Sequence, residues 1–281
     1  MICAKYHSVY MKCAVIVPVY KASLTEYEIK SFNQCCKILG LHHIYLVTYQ
    51  DCGLYEYRKI AEKYNVSLKI ELFSPHYFNT IQTYNQLMLS YKFYYRFKEY
   101  DYILVHQLDA YVFRDELTYW CDKNFDYIGA PWFTNYSSIE DGGTIWKTGN
   151  GGLSLRKIST MLRVFCDYYP LLSFKQLIVK QKRCVNNKII NLIVSLIMSI
   201  GYKNNISYFK NKYCENEDAF ICEYIKDLGV VLNIPEPAVS MWFAFEKSPS
   251  YLYRITQQNL PFGCHAWQKY EYETFWKQFI N

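Results

Sequence analysis

Three short segments of the sequence carry carboxylate, amide or imidazole side chains in positions where chemistry could take place. Gln107-Leu108-Asp109 follows an apolar run, Asn216-Glu217-Asp218 opens an acidic segment, and His265 lies within PFGCHAW near the C-terminus. Carboxylates and imidazole bind divalent cations, and both exchange protons with substrates. These residue types therefore favour a reaction on a charged substrate that uses a metal ion, a base, or both.

The motifs of several large enzyme classes are absent from the sequence. No GxGxxG follows the first apolar run and no GxxxxGK[ST] occurs, which argues against dinucleotide-dependent oxidoreductases and P-loop enzymes. No GxSxG is present either, so a serine hydrolase of the α/β class loses support. The cysteines and histidines do not follow zinc-site spacing.

The first 110 residues alternate between buried-type apolar runs and amphipathic segments. Strands are predicted at 13–20, 43–49, 67–73 and in the run before Asp109. Helices are predicted between them, at 24–39, 55–65 and 79–97. Ser23 with Glu26, and Asn79 with Gln82, have the spacing of capping boxes at two of the helix starts.

This alternation predicts an α/β fold with a mostly parallel sheet covered by helices on both faces. Ligands of such sheets bind beyond the carboxyl ends of the strands. Asp109 lies at one such end and the Pro18-Val19-Tyr20 loop at another. After residue 110 the pattern is less regular, with a short strand within 125–133, a glycine-rich turn and strand over 149–157, and a helix over 215–229.

Composition narrows the class of protein further. The chain is 51% apolar and carries a formal net charge of +6, an excess too small to predict nucleic-acid binding. Eleven cysteines predict free thiols in a reducing compartment, and hence a cytoplasmic protein. The first 20 residues lack a basic region followed by a long apolar run, so no signal peptide is predicted, and Met11 is an alternative start.

A twelve-residue apolar run, 189–200, lies in a segment near 171–213 that has the character of an insertion. Twelve residues are too few to span a bilayer as a helix, which takes about 20. The run is preceded by five basic residues, namely Lys175, Lys180, Lys182, Arg183 and Lys188. Two interpretations stay open: a helix packed into the core, or an interfacial segment whose basic residues contact anionic headgroups.

Taken in order, segments along nearly the whole chain resemble the GT-A class of nucleotide-sugar glycosyltransferases. They resemble more closely a family of bacterial GT-A-like proteins often found with surface-polysaccharide genes. The segments are VIVPVYK, YNQLMLS, HQLDAYVF, DYIGAPW, GNGGLSLRK, NEDAF and PFGCHAW. The resemblance implies a single GT-A-like domain with a Rossmann-type, mostly parallel sheet, in which 11–115 bind the nucleotide and 116–281 form a smaller acceptor and catalytic half.

The resemblance also implies a metal-assisted donor site. Asp109 matches the last acid of the Asp-X-Asp of GT-A enzymes, which holds Mn²⁺ or Mg²⁺ against the donor diphosphate, and His265 would complete the metal site. Gln107 replaces the first acid and would instead bond the ribose or base. Pro18, Tyr20 and Asn85 are the remaining expected donor contacts. The alternatives are a local turn in which Asp109 bonds Arg114 or backbone amides, a merely buried Gln107, and a structural His265.

On the acceptor side, the resemblance implies that the glycine turn and a tryptophan contact the sugars. The expected contacts are Trp132, Gly149, Asn150, Gly151 and Gly152. Asp218 is the preferred general base of an inverting reaction, with Glu217 next. The alternatives are a core tryptophan, a plain tight turn, and acids that only suit a helix dipole.

The expected activity is transfer of a sugar from a nucleotide diphosphate to a hydroxyl of a saccharide or lipid-linked saccharide, in surface polysaccharide synthesis. The protein is expected in the cytoplasm, with peripheral contact to the inner membrane and no nucleic-acid partner. One alternative is a non-catalytic carbohydrate-binding or assembly protein on the same scaffold, favoured by Gln107 in place of an acid. The other is a sugar nucleotidyltransferase, disfavoured because PVYKASL lacks a glycine-rich and basic loop.

Overall fold

A computed structural model describes residues 11–166, 170–182 and 186–280. Within these residues the strands are β1 Cys13–Pro18, β2 His43–Thr48, β3 Lys69–Leu72, β4 Tyr102–His106, β5 Ala110–Val112, β6 Tyr127–Ile128, β7 Pro131–Phe133, β8 Ile145–Thr148, β9 Leu153–Lys157, β10 Ala244–Phe245 and β11 Gly263–His265.

The helices of the described residues are α1 Glu26–Leu39, α2 Tyr55–Lys63, α3 Ile81–Met88, α4 Tyr91–Arg96, α5 Leu117–Asp122, α6 Ile158–Val164, α7 Phe174–Gln181, α8 Lys188–Ser199, α9 Ile206–Lys210, α10 Glu217–Ala219, α11 Ile225–Asp227, α12 Pro237–Phe243 and α13 Pro249–Ile255. A π-helical turn, Phe220–Tyr224, joins α10 to α11. Short 3₁₀ turns lie at Pro75–Phe78, Thr134–Tyr136 and Trp276–Gln278.

Six strands form the central sheet, in the order β3-β2-β1-β4-β9-β6. The first four are parallel to one another, and β9 runs antiparallel to both β4 and β6. A second sheet has the order β10-β11-β5, and β7 pairs with β8. The predicted α/β class with a mostly parallel sheet flanked by helices is confirmed.

Helices cover both faces of the central sheet, which explains why β1 reads as a continuous apolar run. Successive side chains of a strand point to opposite faces. Val15 and Val17 therefore pack with Phe32 of α1 in one core cluster, while Ala14 and Ile16 pack with the opposite cluster. All six residues of β1 are buried.

Two predicted helix starts differ from the structure. Helix α1 is capped by Thr25 and Glu28, with Thr25 N donating to Glu28 Oε2 at 2.8 Å, rather than by Ser23 and Glu26. Both pairs have the same spacing, but Glu28 also pairs with Lys21 at 2.8 Å, which favours the later start.

The single helix predicted over 79–97 is also wrong. Thr80 caps α3 in place of Asn79, and α3 ends at Met88. Ser90 then caps a separate helix, α4, by accepting a bond from the amide of Phe93. A cap inside the predicted helix therefore divides it.

The strand predicted in the run before Asp109 is β4, which ends at His106, three residues before Asp109. The chain turns over 107–109, where the amide of Ala110 donates to the carbonyl of Gln107 at 2.9 Å, and β5 then leaves for the second sheet. The segment 125–133 likewise divides into β6 and β7. The turn at 107–109 places Gln107 and Asp109 between two buried strands.

The apolar run 189–200 forms α8, but it is not core: Asn191 and Ser195 are its buried residues, and most of its apolar side chains are exposed. Arg183, counted among the basic residues ahead of the run, lies outside the described residues, as do residues 1–10. Among the described helices, none combines the length and the apolar character that crossing a membrane requires. The nine cysteines that the structure describes are all free thiols.

Candidate active site

Two adjoining cavities lie around the turn that follows β4. The first, here called the β1–β4 cavity, has a volume of about 560 Å³, and its walls include Pro18, Tyr20, Tyr84 and Asp109. The second, the glycine-turn cavity, has a volume of about 680 Å³, and its walls include Trp132, Asn150, Asp218, Glu246 and His265. Ile81, Gln107 and Lys269 line both cavities. Their position beyond the carboxyl ends of β1 and β4 agrees with the rule for parallel sheets.

Asp109 and His265 lie side by side where the two cavities adjoin. Strand β11 pairs antiparallel with β5 so that His265 is opposite Ala110, the residue after Asp109. This register brings Asp109 Oδ1 to 3.2 Å from His265 Nε2. Arg114, the alternative partner of Asp109, instead pairs with Glu116 and donates to two backbone carbonyls.

Glu246 completes a line of three charged groups. It directly follows β10, which is parallel to β11 with Phe245 opposite Cys264, so Glu246 and His265 extend side by side from the two strand ends. His265 Nδ1 lies 3.0 Å from Glu246 Oε1. The imidazole therefore has a carboxylate on each side.

The three groups hold one another charged. Burial disfavours the charge on Asp109, but the positive charge of His265 outweighs burial and lowers the pKa of Asp109 to about 2. Burial likewise disfavours the imidazolium, but Asp109 and Glu246 together raise the pKa of His265 to about 10. Despite its burial, Glu246 also has a lowered pKa, because it is hydrogen-bonded to His265.

The residues around His265 fit a divalent cation that takes the place of the proton on Nε2, because an imidazole ligates a metal ion only in its neutral form. Nε2 is buried and makes no aligned hydrogen bond although Asp109 Oδ1 is 3.2 Å away, which is the arrangement of two ligands that could share one ion. Glu246 on Nδ1 would orient the ring, as carboxylates do for metal-bound histidines. No cluster of three or more His, Cys, Asp or Glu residues suited to a metal occurs in the described part of the chain. Further ligands would therefore come from substrate and water.

The glycine turn brings the other site residues together by close packing. A Cβ atom on Gly149 would overlap the ring of Trp132, one on Gly151 would overlap Glu217, and one on Gly152 would overlap His265. Within 149–152 it is Asn150, and none of the glycines, that has a positive φ, of 70°. The absence of side chains on these glycines therefore leaves the space that Trp132, Glu217 and His265 occupy.

Asn150 closes this turn and contacts the imidazole. Its Oδ1 accepts bonds from the amides of Gly152 and Leu153 at 3.1 and 3.2 Å, and its Nδ2 lies 3.0 Å from His265 Nδ1. The Asn150 side chain lines the glycine-turn cavity while being almost fully buried. It therefore positions the turn and the histidine.

Glu217 and Asp218 are adjacent in sequence but lie in different surroundings. Glu217 is buried and pairs with the fully buried Arg156, whose Nη2 donates to Glu217 Oε1 at 2.8 Å. Arg156 also donates to Ser154 Oγ and to the hydroxyl of Tyr94. Glu217 is thus held in a structural ion pair.

Asp218 lines the glycine-turn cavity, and no basic residue pairs with it among the ion pairs of the described residues. Burial, together with the neighbouring charge of Glu217, raises the pKa of Asp218 to about 7. A carboxyl group with that pKa can accept a proton near neutral pH. Of the two acids, Asp218 has the surroundings of a base.

The polar residues expected at the nucleotide divide between the two cavities. Gln107 Nε2 donates to the hydroxyl of Tyr84 at 3.3 Å, and the backbone amide of Gln107 donates to the carbonyl of Gly152 at 2.8 Å. Asn85 does not line the β1–β4 cavity with Pro18 and Tyr20 but the glycine-turn cavity. Trp132 is only 7% exposed, with its ring over Gly149.

Sequence reasoning missed three charged residues of the site. Glu246 directly follows β10, but this strand has only two residues, so the surrounding sequence SMWFAFEKS shows no strand periodicity. Arg156 could have been found, because a cation alternating with leucines in LSLRK predicts a buried charge that needs a partner. Lys269, which lines both cavities, has no sequence feature that distinguishes it from other lysines.

Several of the solved structures to which this chain is similar are glycosyltransferases. Core-mannan synthase A (CmsA/Ktr4) from Aspergillus fumigatus, in a Mn/GDP form, is 9% identical with a TM-score of 0.42, covering 76% of this chain and 72% of that chain. A glycosyltransferase involved in glycosylation of the major capsid of PBCV-1 is 10% identical with a TM-score of 0.40, covering 90% and 93%. The galactosyltransferase LgtC, in complex with donor and acceptor sugar analogs, is 13% identical with a TM-score of 0.45, covering 90% and 86%. Similarity at this level assigns no activity to the chain.

No curated protein matches the sequence significantly. A family model described as "Protein of unknown function (DUF5672)" matches residues 67–265. This span is more than half of the chain and contains the turn after β4, the glycine turn, the acidic pair Glu217-Asp218 and His265. The chain therefore belongs to the DUF5672 family.

Proposed function

We propose that this protein is a glycosyltransferase that moves a sugar from a nucleotide diphosphate to a hydroxyl of a saccharide or lipid-linked saccharide, in surface polysaccharide synthesis. One observation carries the proposal: the Asp109–His265 pair lies where two cavities adjoin, and Asp218 lines the second of them. A donor and an acceptor would thus meet at a charged pair, with a base on the acceptor side.

The donor nucleotide would occupy the β1–β4 cavity. Pro18 and Tyr20 form its wall at the end of β1, and Tyr20 is 52% exposed, so its ring is available to a base or ribose. Gln107 faces both cavities and carries an amide in place of the acid of Asp-X-Asp enzymes. An amide offers both a donor and an acceptor to a ribose or base.

The diphosphate would lie against Asp109 and His265, which would hold Mn²⁺ or Mg²⁺. When bound, such an ion offsets the negative charge that develops on a nucleoside diphosphate leaving group. Glu246 keeps the imidazole oriented. Lys269, at the junction of the cavities, would add a positive charge close to the diphosphate.

Asp218 would act as the general base of an inverting reaction. As the oxygen of the acceptor hydroxyl attacks the anomeric carbon of the donor sugar, the hydroxyl proton passes to the Asp218 carboxylate. The bond between that carbon and the diphosphate oxygen breaks, and the diphosphate leaves with the electron pair. Glu217 would not take this role, because its carboxylate pairs with buried Arg156. Trp132, Asn150 and the glycines 149, 151 and 152 would shape the acceptor side.

The nine free thiols of the described residues suit a reducing compartment, which supports a cytoplasmic location. A lipid-linked acceptor would bring the protein to the cytoplasmic face of the inner membrane as a peripheral protein. The net charge of +6 is too small an excess to favour nucleic acid as a partner.

The test is hydrolysis and transfer with a panel of UDP-, GDP-, dTDP- and CMP-sugars, with and without Mn²⁺. We expect metal-dependent release of a nucleoside diphosphate from one member of the panel. Saccharide binding without release from any donor would instead support the non-catalytic alternative. Consumption of a nucleoside triphosphate with a sugar phosphate would support the nucleotidyltransferase alternative.

A further inference from the structure

Helix α8 packs with polar side chains toward the protein and apolar side chains toward solvent. Asn191 and Ser195 are buried, Asn191 Nδ2 donates to the carbonyl of Ile178 at 3.3 Å, and Ser195 Oγ donates to Asn191 Oδ1 at 3.1 Å. The opposite side exposes six large apolar side chains, each 44–70% exposed: Ile189, Ile190, Leu192, Ile193, Leu196 and Ile197. A contiguous apolar patch of this kind marks an interaction site.

The segment around this patch carries charge of one sign only. Residues 168–214 contain eight Lys or Arg and no Asp or Glu. Lys175 and Lys180 on α7, which packs against α8, are exposed, as are Lys182 and Lys188. An apolar face with exposed lysines beside it is complementary to a membrane surface, in which anionic headgroups cover an apolar interior.

A cavity between α7 and α8 adds a feature suited to an anionic headgroup. It has a volume of about 470 Å³, and its walls include Lys182, Lys188, Asn186 and Asn191 beside the apolar Leu192. Ammonium and amide groups can donate to phosphate oxygens, and the apolar wall leads to the exposed face of α8. Cations and apolar surface thus meet at one place.

We propose that α7 and α8 dock this protein onto an anionic lipid surface, with α8 lying in the plane of the interface. The exposed isoleucines and leucines enter the boundary between headgroups and acyl chains, and the lysines contact lipid phosphates. Twelve residues are too few to cross a bilayer, which takes about 20. A second copy of the chain is a poor occupant, because a symmetric contact through this patch would bring together two clusters of cations.

The docking surface is connected to the candidate active site through the chain itself. A cavity of about 240 Å³ is lined by Lys210 and Asn211, at the end of α9, and by Asn85 and Glu215. Asn85 and Glu215 also line the glycine-turn cavity. The segment that leaves α8 therefore runs directly to the acceptor side. Docking itself does not depend on sugar transfer, so either proposal can fail without the other.

The experiment is cosedimentation of the full chain with phosphatidylcholine vesicles that contain or lack phosphatidylglycerol, at low and high salt. We expect binding to the anionic vesicles at low salt, weakened as salt rises, and little binding to phosphatidylcholine alone. The triple variant K180Q/K182Q/K188Q should bind anionic vesicles on the order of 100-fold more weakly, because each lysine contributes about five-fold to the affinity. The matched control K37Q/K59Q/K63Q removes three exposed lysines of α1 and α2 and should bind as the wild type does.

The apolar face is tested by I193Q/L196Q, with L41Q as its control because Leu41 is 96% exposed and lies outside the patch. Since these side chains are exposed, the melting temperatures should not change. We expect I193Q/L196Q to lose vesicle binding and L41Q to keep it. Absence of binding to anionic vesicles at low salt, or wild-type binding by I193Q/L196Q, would overturn the proposal. A third result would also overturn it: a wild-type protein that binds no vesicles but forms dimers, which I193Q/L196Q abolishes. That result would identify a second copy of the chain as the occupant.

Discussion

The backbone of Gly152 lies against the imidazole of His265, so closely that a Cβ atom on Gly152 would overlap Nε2. The same imidazole is bounded by Asp109 and Glu246. The glycine turn, the turn after β4 and the end of β10 thus fix one ring from three sides. The position of His265 therefore depends on all three segments.

Gly152→Ala should displace His265 and weaken the site without unfolding the protein. We expect a loss of about 10–100-fold in Mn²⁺ affinity or activity, the usual effect of disturbing the groups that orient a metal ligand. Isothermal titration with Mn²⁺ and the nucleoside diphosphate measures the loss. Gly142→Asn is the control, because open space surrounds Gly142 and asparagine tolerates its positive φ. Equal affinity in Gly152→Ala and wild type would show that the contact has no role.

Asp218→Asn should lower turnover by about 10²–10⁴-fold, the usual worth of a general base, while donor affinity is kept. Steady-state rates and donor binding measure the two effects. A loss confined to donor affinity would remove Asp218 from the role of base. If Asp218→Asn has no effect on turnover, the reaction does not need this acid and a retaining mechanism becomes the better account.

The raised pKa of Asp218 gives the same prediction a pH dependence. Because a base must be deprotonated, turnover of the wild type should rise with pH through about 7, and this rise should be missing in Asp218→Asn. The stability of the folded protein should show the opposite trend. A carboxyl whose pKa is raised on folding stabilises the protein while it is protonated, and this contribution is lost as pH rises from its unfolded pKa, about 4, to about 7. The melting temperature of Asp218→Asn relative to wild type should therefore increase over that interval and then level off.

Glu217→Gln should affect stability much more than Asp218→Asn does. The change leaves the Arg156 guanidinium buried without its counter-charge, which costs on the order of 3–5 kcal/mol. Chemical denaturation measures this loss, and the double variant Glu217→Gln/Arg156→Met should recover part of it because no buried charge is left. A stable Glu217→Gln variant with a large loss of turnover would instead identify Glu217 as the base.

Much of the sheet could be predicted because β1, β2 and β4 are largely buried. β1 and β2 have continuous apolar runs, and the fold class follows from their alternation with helices. Helix starts were less certain, because Ser23 and Thr25 each have a glutamate three residues later and only tertiary contacts of Glu28 distinguish them. The break at Ser90 is likewise a local cap within a pattern that otherwise reads as one helix.

The site could be predicted in part. Asp109 and His265 were named from their sequence segments, but their proximity depends on the pairing of β5 with β11. In this pairing of two three-residue strands His265 lies opposite Ala110, a separation in sequence that no periodicity reveals. Glu246 depends in the same way on the pairing of β10 with β11. The glycines were recognised as a tight turn, but only the fold shows that Trp132, Glu217 and His265 occupy the space that they leave.

Release of nucleoside diphosphate from the donor by Asp109→Asn, measured beside the wild type in Mn²⁺, tests the central claim most directly. Asparagine keeps the size of the side chain but removes the charge that faces His265. The account predicts that release falls to background in a variant that stays folded, with a melting temperature lowered only by the loss of the charge pair with His265. Release at the wild-type rate by a folded Asp109→Asn variant would contradict it.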